Sequence, residues 1–136
     1  MNKEDRILLV RDVTARLPYD PKFDLDGIRG SIHHISLYTA YSTSGDVDYI
    51  CSVDFFGDGN YIDIEHFKPC LVPMSMMNEH QRIIYGDLSY AVINSIPDDV
   101  QNNINELYKW LNENDFDYNG LIDRGLAIDT TNLNTY

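Results

Sequence analysis

Positive charge is scarce in this chain. Ten Lys and Arg stand against twenty-two Asp and Glu, a formal net charge of −12. Direct nucleic-acid binding needs clustered bases to displace counterions from phosphates, so no DNA or RNA contact is expected. Docking on an anionic membrane is disfavoured for the same reason. Long apolar runs are missing too. No stretch approaches the ~18 residues of a membrane span, and no basic-then-apolar start reads as a secretory leader. Cysteine is limited to Cys51 and Cys70. These two form neither a zinc pattern nor a disulfide framework, which points to a reducing cytoplasm with both thiols buried. No linker, repeat or low-complexity block divides the 136 residues. That length suits one domain, 1–136, around one core.

Catalytic signatures are equally absent. There is no G-x-S-x-G elbow and no H-E-x-x-H pair, and Gly57-Asp58-Gly59 joins two strand-like segments instead of opening a helix. Asp54 to Glu65 resembles a calcium loop at positions one, five, six and twelve. It fails at position three, where Phe56 brings no oxygen, and a hairpin with a Gly-Asp-Gly-Asn turn explains the same residues. His33 and His34 are adjacent, so in a strand they face opposite sides. With His66, Asp54 and Asp63 they make the one set from which a metal-dependent hydrolase could be built. No catalytic residue, metal ligand or cofactor-binding residue is assigned from these patterns.

What is present is strong local periodicity. Ile7, Val10, Val13 and Leu17 predict a helix over Lys3–Arg16 that Pro18 ends. The stretch Tyr19–Asp26 reads as irregular. Ile28–Thr39 reads as a strand whose phase slips at Ile32, predicting a bulge near His33-His34. After a loop over Tyr41–Asp46, alternation from Val47 to Phe55 predicts a half-buried strand, and Tyr61–Glu65 its return. Pro69–Pro73 reads as extended. The Met74–Met77 cluster reads as core filling more than as a binding surface. Asn78 caps a helix that can run past Gly86 to Asn94. A last helix shows Val100, Ile104, Leu107, Tyr108 and Leu111 on one face. Asp98 and Gln101 stand at capping-box spacing before it. Trp110, Phe116 and Leu121 then form a hook expected to be buried against that helix, with Gly120–Gly125 as a single turn closed by glycine.

Three segments carry a resemblance. Trp110-Leu111-Asn112, Phe116-Asp117-Tyr118-x-Gly120-Leu121-Ile122 and Gly125-Leu126-Ala127 look like the C-terminal signature of a family of small uncharacterised proteins from gut anaerobes and their phages. Asp12–Tyr19 and Ile64–Met77 match the same pattern, with Cys70 where an aromatic is expected. Phe23–Phe56 has no counterpart. The family has no assigned activity, so the resemblance implies a fold and a genomic setting.

Together these readings predict an α+β fold. A small, bent antiparallel sheet from Ile28 to Glu65, with enough curvature to approach a barrel, would be covered by an N-terminal helix and two or three C-terminal helices. The functional expectation is a non-enzymatic cytoplasmic module, phage-associated, that binds another protein through an acidic and aromatic surface. Two alternatives stand beside it. One is the metal-dependent hydrolase on His33 or His34, His66, Asp54 and Asp63. The other is an acidic nucleic-acid mimic that inhibits a nucleic-acid-handling protein, although the eight acids from Asp98 to Asp129 do not fall at regular intervals.

Overall fold

The computed structural model describes residues 1–41, 43–45 and 47–132. The loop expected over Tyr41–Asp46 includes Ser42 and Asp46, which lie outside the described residues. Among the described residues the fold is α+β, with three α-helices and two sheets. Helix α1 spans Lys3–Arg16, where Asn2 accepts from the Asp5 N–H and satisfies one of the orphan donors of the first turn. Strands β1 (Lys22–Leu25) and β2 (Ile28–Ser31) form a hairpin. β3 (His34–Tyr41), β4 (Val47–Asp54) and β5 (Tyr61–Asp63) form an antiparallel three-stranded sheet. β6 (Lys68–Pro73) leads to α2 (Glu79–Ile93) and α3 (Val100–Glu113), and two-residue strands β7 (Phe116–Asp117) and β8 (Ile128–Asp129) follow.

Two differences from expectation concern the sheet. It is not closed into a barrel, and the segment Ile28–Glu65 contributes to two sheets instead of one. The phase slip at Ile32 is a break: β2 pairs with β1, while β3 pairs with β4. The region expected to be irregular holds β1, because Lys22-Phe23-Asp24-Leu25 alternates and Asp26-Gly27 supplies the turn. Both turn residues have positive φ, 51° and 90°, as a two-residue hairpin of primed type requires.

β6 is the hub of the other sheet. It pairs antiparallel with β1 through Phe23–Pro69, and parallel with β8 through Cys70–Ile128 and with β7 through Val72–Phe116. The main core lies between α1 and the strands. Leu9 and Val13 of α1 meet Phe23, Val53, Phe67 and Leu71, with Leu121 from the C-terminal segment. Both thiols are buried, as expected. A second core joins Met77, Leu111 and Phe116, with Trp110 and Tyr85 half-buried against it. Met77 is core, whereas Met76 is exposed, so the methionine cluster divides. Asp98 does not cap α3. The N-cap is Asp99 without a side-chain bond, and Gln101 donates to Asn105 instead.

Candidate interaction surface

The polar residues that suggested metal chemistry are occupied by the fold. Asp54 is buried, and its carboxylate accepts the Gly57 N–H at 2.9 Å and the Gly59 N–H at 3.2 Å, which shapes the turn between β4 and β5. Asp58 accepts both the backbone and the side-chain amide of Asn60. Asp63 takes a two-pronged contact from Arg6 at 2.8 and 2.9 Å, tying α1 to β5. The Arg6 hydrogen bonds hold the Asp63 carboxyl below the ordinary carboxylate range, against the opposing effect of partial burial. His33, His34 and His66 are exposed. Among the described residues no three His, Cys, Asp or Glu side chains converge on a point that could hold a metal. Burial pushes the Cys51 thiol up to about 11, so it stays protonated and a poor nucleophile at neutral pH.

The deepest charges are Asp12 and Arg16, both fully buried on one side of α1. Arg16 donates through Nε and Nη2 to Asp12 and through Nη2 to the Phe116 carbonyl at 2.7 Å. Asn119 donates to Asp12, and the guanidinium lies 4.8 Å from the Tyr118 ring centre. Tyr118 in turn donates to Asn112. Nη1 of Arg16 is the one buried side-chain nitrogen or oxygen without a hydrogen-bond partner among the described residues. The pair is sealed from solvent and clamps the hook onto α1. Phe116 and Leu121 are buried as expected, but Leu121 belongs to the main core and Trp110 is only half-buried. Trp110 lies between Tyr85, at 6.5 Å, and Phe116, at 5.5 Å. The turn after it closes on Gly125: the Leu126 N–H reaches the Leu121 carbonyl and the Gly125 N–H the Ile122 carbonyl, the Schellman pattern.

A cleft of about 430 Å³ opens beside the hook between Pro73, Ser75, Asp117, Asp123 and Asp129. Its carboxylates are committed in part to the backbone: Asp117 accepts the Leu121 and Ile122 N–H groups, and Asp129 that of Thr131.

The surface with an unmet physical demand is α2. None of its fifteen residues is buried, although its sequence is apolar on two opposite sides. One side, with Tyr85, Leu88 and Val92, is half-buried toward α3, where Asn103 fastens the helices by donating to the Ala91 carbonyl and to Ser95. The other side carries Ile83, Gly86, Tyr90 and Ile93 within an arc of roughly 80° at 100° per residue. Ile83 is 56% exposed, Tyr90 68% and Ile93 80%, and Ile96 just beyond the helix is 61% exposed. An amphipathic surface helix needs one apolar stripe, turned to its own core, and α2 carries a second one turned away from it. Gly86 sharpens the point. It costs about 1 kcal/mol relative to Ala in a helix, and a Cβ built there meets nothing within 4 Å in its own chain. The sequence held the signal for this surface in its second i, i+3, i+7, i+10 stripe, but the stripe facing α3 masked it.

No family model, no curated protein and no solved structure matches this chain. Among the described residues no helix is long and apolar enough to cross a membrane.

Proposed function

We propose that this chain is a non-enzymatic protein-interaction module of the cytoplasm, and that it meets its partner through the outward side of α2. The observation that carries the reading is the uncovered stripe Ile83, Tyr90 and Ile93 on a helix with no buried residue. Single exposed apolar residues are ordinary, but a contiguous stripe on an outer helix is the mark of a contact surface. The acidic remainder of the surface then serves to keep the protein dispersed. Two buried thiols outside any disulfide support a reducing compartment. The resemblance to proteins of gut anaerobes and their phages supplies the biological setting of the proposal.

Affinity purification from the native host, followed by mass spectrometry, tests this with the wild type and Ile83→Asp/Tyr90→Asp in parallel. Both positions are exposed, so the double variant is expected to keep the wild-type melting temperature while losing the co-purified partner. Recovery of the same partner by both proteins would sink the proposal.

A further inference from the structure

We infer that the partner on α2 is a second copy of this chain, docked antiparallel across a two-fold axis at the level of Leu88. The inference rests on the reading of α2 as the contact surface and adds the identity of what covers it. The stripe is self-complementary. Ile83 and Ile93 lie equally far from Leu88 along the helix, and so do Gly86 and Tyr90. An antiparallel copy therefore sets Ile83 against the partner's Ile93 and lays the Tyr90 ring over the partner's Gly86, at both ends of one symmetric contact, which is the requirement of an isologous interface. The absent Cβ at Gly86 gives the ring its seat and lets the axes approach to the roughly 8–10 Å of packed helices. With α3 already behind each α2, two copies complete a four-helix arrangement from two helical hairpins.

Area and charge agree. Ile83, Tyr90, Ile93 and Ile96 leave on the order of 500 Å² exposed per protomer, so two copies bury at most ~1,000 Å² through them, the range of weak, reversible interfaces. Two molecules of net charge −12 repel, so they can associate only where charge is thin. Between Ile83 and Ile93 only Asp87 is charged, and it lies to one side of the stripe.

Sedimentation velocity on the full chain from micromolar to millimolar concentration tests association. The expected result is a monomer–dimer equilibrium with a micromolar Kd, as befits a small interface. Added salt should tighten it severalfold by screening the like charges, the reverse of what an oppositely charged partner would show. Gly86→Leu should weaken the dimer at least tenfold without lowering the melting temperature. Register is tested by disulfide formation between exposed positions. Ile83→Cys mixed with Ile93→Cys should give a covalent dimer, while each variant alone should give little, because like positions lie about 15 Å apart along the axis. A monomer at every concentration, or a dimer indifferent to Gly86→Leu, overturns the inference. Efficient cross-linking of Ile83→Cys alone overturns the antiparallel register. If the chain is monomeric but Ile83→Asp/Tyr90→Asp still loses its host partner, the interaction reading survives and only the second copy fails.

Discussion

Asp12 and Arg16 are the side chains whose loss the molecule tolerates least. Both are removed from water: Asp12 is held by Arg16 and Asn119, and Arg16 by Asp12, the Phe116 carbonyl and the face of Tyr118. Asp12→Ala leaves a buried guanidinium without its counter-charge, and urea denaturation should record a loss of about 3–5 kcal/mol. The double variant Asp12→Leu/Arg16→Met should lose less, because it removes both charges together. Asp115 gives the opposite sign. Desolvation raises its carboxyl, the Arg16 and Lys22 charges oppose that, and its φ of 58° lies in the left-handed region that Asn tolerates well. A raised folded-state value means that its contribution to stability is full below the unfolded value and is lost as pH rises through the folded one. Asp115→Asn should therefore raise the melting temperature at pH 7, with the gain fading as the pH is lowered toward 4. The i, i+4 spacing of Asp12 and Arg16 was plain in the sequence. Their burial was not, because it depends on Phe116, one hundred residues away.

Elements were most legible where period and punctuation agreed. The limits of α1, the strand leading to Asp54, and the Asn78 capping box of α2 all follow from short-range patterns. The β1–β2 hairpin was equally available from Asp26-Gly27 between alternating residues, but its strands are only four residues long and one is interrupted by Gly30. α3 was readable as a helix and misread at its start, since Asp98 and Asp99 both satisfy the composition of a cap and only backbone geometry chooses between them. The hook after α3 yields a ranking. Phe116 is fully buried and Trp110 half-buried, so Phe116→Ala should cost about 3–5 kcal/mol and Trp110→Ala about 2 kcal/mol, despite the larger ring. Equal losses for the two in chemical denaturation would contradict the burial seen here.

Across the whole molecule, charge and packing pull against each other. A net charge of −12 on 136 residues makes the compact state self-repelling. Moderate sodium chloride at neutral pH should raise the melting temperature, and one that falls with salt would show that ion pairs such as Arg6–Asp63 outweigh the repulsion. The division into two sheets was beyond sequence reading. The turn at Ile32-His33 carries the chain from one sheet to the other, and β1 finds its second neighbour, β6, only through the distant pairing of Phe23 with Pro69. The surface stripe of α2 was legible as a pattern, but its exposure was not, because the choice of side facing α3 is made by Trp110 and Asn103.

β6 has a consequence for how this protein is made. Its six residues need β1, β7 and β8 as neighbours, so the strand that organises the sheet cannot finish its ladder until residue 129 has left the ribosome. Buried Arg16 waits for the Phe116 carbonyl in the same way. During synthesis the hairpins β1–β2 and β3–β4 and the pair α2–α3 can close from neighbouring residues, while the core that joins them stays open. For that interval the nascent chain holds the apolar faces of β6 and α1 exposed, which is the state that chaperones shelter.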